Sequence, residues 1–235
     1  MITLVGVGHV FAISDRVRDL IRSKQPSIVC LELDPVRFKS LMQRETSGRV
    51  PVQYSLLAMF QKRMAVKFGS EVGNEMLAAA SAAREVGARV ALIDVDASAM
   101  LGTLWKRMSM RERIGMMFGA LVGLVSSKDA VERELDAYQS NDEAYIAEIG
   151  ERFPTVKSVL IDDRNRIMAE RIRAISKDHG DVVAIIGDGH VPGIEKALTD
   201  ERPEVVRLKE LMSSPQPTDG PGEHSTSFVL GQGDR

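Results

Sequence analysis

Four short apolar runs, each closing on glycines or carboxylates and each followed by a helical pattern, constrain this chain more than any other feature. They cover residues 2–7, 27–33, 89–95 and 182–186. Runs this short and this apolar, without polar alternation, read as strands covered on both faces, as in a parallel sheet. Between the first two, Ile13, Val17, Leu20 and Ile21 fall at helical spacing, with Ser14 placed to cap. Asp34 and Pro35 open a second helix, and an Ala- and Met-rich helical stretch over 54–86 ends at Gly87. A further helix is expected from Pro154 to about Asp178, and a last strand near Val205. This alternation predicts an α/β fold: a largely parallel or mixed central sheet flanked by helices, with an all-helical insert at about 97–150. One domain is expected over 1–208. The Ser-, Pro- and Gly-rich residues 209–235 are expected to be a disordered tail.

Composition narrows the function classes. With 44% hydrophobic and 27% charged residues in 235, the chain is an ordinary globular one. A net charge of −2 leaves no cationic excess for a phosphate backbone, so nucleic acid is not an expected partner. The single cysteine, Cys30, excludes an intramolecular disulfide and a cysteine-based zinc cage, and points to a reducing, cytoplasmic compartment. No signal peptide is expected, because the apolar start lacks a basic region. The longest uncharged apolar stretch, 114–125, falls short of the about twenty residues a spanning helix needs.

The chemistry concentrates at the strand ends. Gly6-Val7-Gly8-His9 and Gly187-Asp188-Gly189-His190 repeat one motif, and they hold two of the four histidines. In parallel sheets ligands bind at the carboxyl ends of strands, where glycines permit sharp turns and close backbone approach. Glu32 and Asp34 close the second strand, with Arg37 one turn on. A structural ion pair between Glu32 and Arg37 is the alternative to a functional carboxylate. Asp94 and Asp96 repeat the pattern after the third strand, where Asp96 can simply cap a helix. In the helix from Thr155, Asp163 and Arg164 lie three and four residues after Leu160, so they share its apolar side with Ile167, Met168 and Ile172. Asp162 and Arg166 are spaced to pair outside. Glu75 heads an Ala-rich helix and can reach the cleft, although a solvated position is its default.

Two histidines and carboxylates from strand ends make a divalent metal site feasible, and imidazole with carboxylate suits zinc, manganese, cobalt or iron(II). His9, His190, Glu32 and Asp94 are the candidate ligands. Glu32, Arg37, Arg164 and Glu75 are the candidate catalytic groups, as general base or oxyanion partners. His-Glu-x-x-His, Gly-x-Ser-x-Gly, a P-loop and Gly-x-Gly-x-x-Gly are all absent from the sequence.

The motifs Val5-Gly6-Val7-Gly8-His9-Val10, Leu31-Glu32-Leu33-Asp34-Pro35 with Arg37, Gly73-Asn74-Glu75-Met76, Leu92-Ile93-Asp94, Asp163-Arg164-Asn165 and Ile186-Gly187-Asp188-Gly189-His190-Val191-Pro192-Gly193 resemble those of the TraB family in order and spacing. That family includes bacterial pheromone-shutdown proteins and is related to the Tiki proteases. The resemblance runs over about 1–208. It implies a metal-dependent, peptidase-like α/β fold, with His9, Glu32 and His190 together in the cleft and Arg37 and Arg164 nearby. Wider relatives include a macrolide esterase and a haem-binding protein, so resemblance alone does not fix the reaction. The sequence departs from the family pattern at Val95, where an arginine is usual, at Asn165, an amide in an acid position, and at Asp188, where a small residue is common.

The expected activity is a metal-dependent hydrolase, foremost a metallopeptidase acting on peptides through the His/His/Glu site, with a small molecule as the other substrate class. Its rivals are a metal-independent esterase-type hydrolase with His9 as base, a non-enzymatic peptide- or partner-binding protein, and a haem or iron carrier. The insert carries a Met-rich apolar stretch, with Met108, Met110, Met116, Met117 and Phe118, suited to a homodimer interface over 105–125, a peptide groove, a lid or a core helix.

Overall fold

The computed structural model describes residues 1–8, 13–47, 73–115 and 150–213. Five strands form one all-parallel sheet: β1 (Ile2–Val7), β2 (Ile28–Leu31), β3 (Arg89–Leu92), β4 (Val182–Gly187) and β5 (Glu204–Val206), in the order β3-β2-β4-β1-β5. The helices are α1 (Ser14–Lys24), α2 (Pro35–Ser47), α3 (Asn74–Glu85), α4 (Ala97–Arg107), α5 (Pro154–Lys157), α6 (Asp163–His179), α7 (Val191–Ala197) and α8 (Leu208–Ser213).

The apolar runs divide by parity into two cores, because successive side chains of a strand point to opposite faces. Val5, Val7, Val29, Leu31, Val183 and Ile185 pack on one face against Val17 and Ile21 of α1, Met76 and the alanines of α3, and Leu211 of α8. Ile2, Leu4, Ile28, Cys30, Val182, Ala184 and Ile186 pack on the other against Met168 and Ile172 of α6 and Ile194 of α7. Apart from Thr3, whose buried hydroxyl donates to Glu204, the central strands are therefore apolar on both faces, which is why the runs show no alternation. The alanines of α3 let that helix lie close to its neighbours. Buried Cys30 has its thiol pushed up to about 12 by desolvation, so it is chemically quiet.

This order creates a crevice. The chain leaves β1 for α1 on the first face and leaves β4 for α7 on the second. Adjacent strands whose connections part in this way open a cleft at their carboxyl ends. The helices that lead back to a strand, α3 and α6, must begin at that same edge. The first turn of α6 therefore meets Glu32 after β2 and His190 after β4.

Local differences from the sequence reading are small but physical. β3 ends at Leu92, three residues short of the expected 95, because Asp94 turns away into the cleft region. Ser14 is the first residue of α1 and makes no cap bond. Residues 209–213, expected in the tail, form most of α8, and Leu211 is buried in the first core. Residues 214–235 lie outside the described residues. Of the insert, α4 is capped by Asp96 as expected, its Oδ1 accepting from Ala99 N at 2.8 Å. Asp162 pairs with Lys157 at 2.8 Å, and Arg166 pairs with Glu170, so the expected Asp162–Arg166 pair does not form. Met108 is buried and Met110 exposed, while Met116, Met117 and Phe118 lie outside the described residues.

The insert is tied down by a buried carboxylate. Glu112 accepts from Ser109 N at 2.9 Å while Ser109 Oγ accepts from Glu112 N at 3.3 Å, a reciprocal capping box. Glu112 also accepts from Thr155 N at 2.8 Å and Thr155 Oγ1 at 2.9 Å, joining the helix starting at 110 to the start of α5. The Ser109 amide, with Thr155, lowers the Glu112 carboxyl from 4.5 to about 2.

Two predictions follow from this packing. A Cβ on Gly6 would run into the Asp188 carboxylate and press Val191, so Gly6→Ala is expected to cost about 1–3 kcal/mol in urea unfolding. Glu112 contributes stability that is full above its ordinary 4.5 and is lost as pH falls toward about 2. The stability difference between wild type and Glu112→Gln should therefore shrink between pH 5 and pH 2; a pH-independent difference would contradict it.

Candidate functional site

Arg164, in the first turn of α6, is the centre of the cleft. Its Nη2 donates to Glu32 Oε1 at the end of β2 and to Asp94 Oδ2, the latter at 2.9 Å. Its Nε donates to Asp94 Oδ1 at 3.0 Å, and its Nη1 to His190 Nε2 at 3.0 Å. Nη1 also reaches the carbonyl of Leu160 at 3.2 Å. Leu160 belongs to a π-helical turn, Ser158–Asp162, that runs into α6. Turns of this kind are frequent at functional sites.

The cluster is nearly closed to solvent. Side-chain exposure is 13% for Arg164, 6% for Glu32 and 2% for Asp94. Burial pulls the Arg164 pKa down, but hydrogen bonds and charge from Asp94 and Glu32 outweigh it and raise the guanidinium above its ordinary value. Arg164 is thus a permanent cation.

Asp94 is fully engaged. Oδ1 accepts from Arg164 Nε and from Val95 N at 2.8 Å; Oδ2 accepts from Arg164 Nη2 and from Arg37 at 3.1 Å. A carboxylate offers about four lone-pair sites, and all four are taken here. As arranged, this expected ligand is a clamp for two arginines. Its backbone carbonyl also holds Arg171 at 2.6 Å.

Glu32 also binds the end of β4: its Oε2 accepts from Gly187 N at 2.6 Å. Oε1 lies 3.4 Å from His190 Nε2. Because an arginine can only donate, Nε2 of His190 accepts and carries no proton. The proton is on Nδ1, which faces Asn165 Oδ1 at 2.7 Å. Asn165 thus fixes the tautomer and the ring, as outer-shell partners of ligating histidines do. A Cβ on Gly193 would collide with the Asn165 amide, so glycine there is what admits this partner.

The turn that carries His190 is itself anchored. Asp188 accepts from Arg207 at 3.0 and 2.8 Å and from Leu208 N at 2.8 Å, which fastens the loop after β4 to the start of α8. Its carboxylate sits over Gly6, so the two Gly-x-Gly-His motifs interlock.

The structure thus brings together Glu32, Asp94, Arg164 and His190, with Arg37 joined through Asp94. The anticipated Glu32–Arg37 pair is replaced: Glu32 pairs with Arg164, and Arg37 with Asp94. Asp163, expected on the buried side, is partly exposed and pairs with Arg107 at 2.7 Å. Glu75 is buried rather than solvated, at the start of α3, and is not among the partners of Arg164. His9 lies outside the described residues. Asn165, Arg171 and the Asp188–Arg207 pair were not foreseen as site partners. The departures from the family pattern at Asn165 and Asp188 were the available signal for two of them.

Against a divalent ion the donor chemistry fits in part. A neutral, oriented imidazole with its lone pair beside a carboxylate oxygen is a two-ligand arm of the right kind. Among the described residues no three His, Cys, Asp or Glu side chains are grouped to hold an ion. The acceptors are spaced around a planar guanidinium instead.

The TraB/PrgY/gumN family model matches residues 1–204. An uncharacterized protein of Methanocaldococcus jannaschii, MJ1365, is 33% identical over 231 residues, covering 90% of this chain and 57% of its own length. The chain therefore spans a little over half of that relative. A solved structure described as cofacial heme binding to ChaN of Campylobacter jejuni aligns at a TM-score of 0.39 and 14% identity, covering 88% of this chain and 79% of that one.

The tautomer is directly testable. Nitrogen-15 NMR of His190 should show a protonated Nδ1 and a bare Nε2, with mixed tautomers and a stability loss of about 1–3 kcal/mol in Asn165→Ala. A wild-type ring protonated at Nε2 would contradict the assignment.

Proposed function

This chain belongs to the TraB/PrgY/gumN family, and on that premise we propose that its cleft is the centre of a metal-dependent hydrolase, acting on peptides or a small carbonyl substrate. The observation that carries the reading is the His190 imidazole, locked with its Nε2 lone pair 3.4 Å from Glu32 Oε1 at the carboxyl edge of the sheet. His190 and Glu32 would hold the ion (manganese, cobalt, zinc or iron), with His9 as the further ligand. A divalent ion in such a site supplies Lewis acidity and a bound water of lowered pKa.

The chain's own residues would do the rest. Asn165 keeps His190 in its ligating tautomer. Asp94 holds Arg164 and Arg37 at the cleft, where a guanidinium can stabilise negative charge developing on a carbonyl oxygen. Arg37 is 42% exposed, so it can reach a substrate from the rim. Glu75 has the weaker claim, as a base reaching in from α3.

A second reading, a protein that binds a peptide or a second copy of itself, is favoured by a separate observation. Leu101, Trp105, Met110 and Ile114 of the insert are each more than half exposed. Large apolar side chains gathered on one segment mark interaction surfaces. Among the described residues no helix is long and apolar enough to cross a membrane, and a cytoplasmic setting is part of the same proposal.

Metal analysis of tag-free protein should give about one divalent ion per chain in wild type and little in His190→Ala, with Asn165→Ala binding about 10–100-fold more weakly. A peptide library screened with that ion should show cleavage that a chelator abolishes. Metal-free wild type with no uptake, or cleavage indifferent to chelator, would defeat the proposal in favour of a His9-based hydrolase or the binding protein.

A further inference from the structure

We propose that Arg164 is a resident cation that competes with a divalent metal for Glu32 and His190. The inference rests on the metal-dependent reading above and adds a regulator to that site.

The guanidinium serves two roles, with Nη2 common to both. Its Nε and Nη2 form a fork on the two oxygens of Asp94, at 3.0 and 2.9 Å, and Asp94 has no acceptor site left over. Its outer edge does something else: Nη2 donates to Glu32 Oε1, and Nη1 to His190 Nε2 at 3.0 Å. Those two atoms are the ones a metal would need. They lie 3.4 Å apart, and both are already spent on a positive charge.

An arginine donating to a neutral imidazole nitrogen is an unusual use of that lone pair, because the same lone pair is what makes histidine a ligand. The arrangement also solves a problem of the metal-free protein. Glu32 is only 6% exposed and cannot be left charged and unpaired. A guanidinium held by Asp94 satisfies it. An ion held by Glu32 and His190 would have to displace the guanidinium as one rigid plane, because Nη2 makes both the Asp94 and the Glu32 contact. Upstream, the π turn already departs from regular helical bonding and its Leu160 carbonyl accepts from Nη1.

Zinc binding measured by calorimetry and by thermal shift tests this directly. Arg164→Met should bind zinc at least about tenfold more tightly than wild type, because a competing charge is gone from the ligand atoms. Without zinc it should melt lower than wild type, and adding zinc should restore it. Arg37→Met removes an equal charge that touches Asp94 but neither Glu32 nor His190, and should tighten zinc by less than about threefold. Arg164→Met with His190→Ala should lose the gain. Arg164→Lys keeps a charge without the fork, should fall between wild type and Arg164→Met, and serves if Arg164→Met does not fold. Equal zinc affinity in wild type and both Arg164 variants, equal tightening in the Arg37 and Arg164 variants, or no zinc uptake by any of them would overturn the inference. Tighter zinc in Arg164→Met without any peptide cleavage would leave it standing and remove the hydrolase reading instead. Cleavage by a wild type whose zinc affinity matches that of Arg164→Met would do the reverse.

Discussion

The architecture of the cleft depends on one buried guanidinium. Glu32 and Asp94 stand at the ends of two adjacent strands with almost no water around them. Two carboxylates in such a place repel each other and each demands a partner. Arg164 answers both with a single planar group, and its two further donors go to His190 and the Leu160 carbonyl. Removing one member of a buried ionic set typically costs about 3–5 kcal/mol, because the others stay charged and dry. The cluster therefore stabilises the carboxyl edge of the sheet and defines its chemistry at once, and the two effects cannot be varied separately at Arg164.

Delivering that guanidinium is the work of the topology. β4 inserts between β2 and β1, so the loop carrying His190 comes down beside Glu32 rather than at the sheet's edge. α6 must cross back over the second face to start β4, so its first turn begins above the strand ends, where Arg164 and Asn165 project side by side onto His190. Close approach is permitted at two points by missing side chains, Gly6 beneath Asp188 and Gly193 beside Asn165. Both lie within the motifs that frame the cleft, so part of what those motifs encode is clearance.

The fold was legible because its signal is local. Strands buried on both faces are apolar almost throughout, and the helices between them carry their own starts and stops, as Asp34-Pro35 and Gly87 do. The exposed edge strand β3 shows less of this signature, and it ends at Leu92, short of the expected 95. Partner choice among charges was less legible. Arg37 sits closest in sequence to Glu32, yet Glu32 takes Arg164, 132 residues away. Asp162 was expected to bond forward along a helix, but the π turn changes the angular spacing and it bonds back to Lys157. Asn165 departs from the family pattern as an amide in an acid position. In place, its carbonyl oxygen accepts the Nδ1 proton of His190 and its amide nests on Gly193.

What the sequence determined by itself was the alternation of strands and helices, the carboxyl-edge position of both Gly-x-Gly-His motifs, and the inventory of groups that meet there. Periodicity and turn chemistry act over a few residues, so a linear reading recovers them. What only the tertiary structure decided was which groups hold which: Arg164 on Glu32, Asp94 and His190, Arg37 on Asp94, and Asp188 on Arg207. A long charged side chain can satisfy any opposite charge within its reach. The choice among them is made by strand order and by which backbones can come close, and neither is written at any single position of the chain.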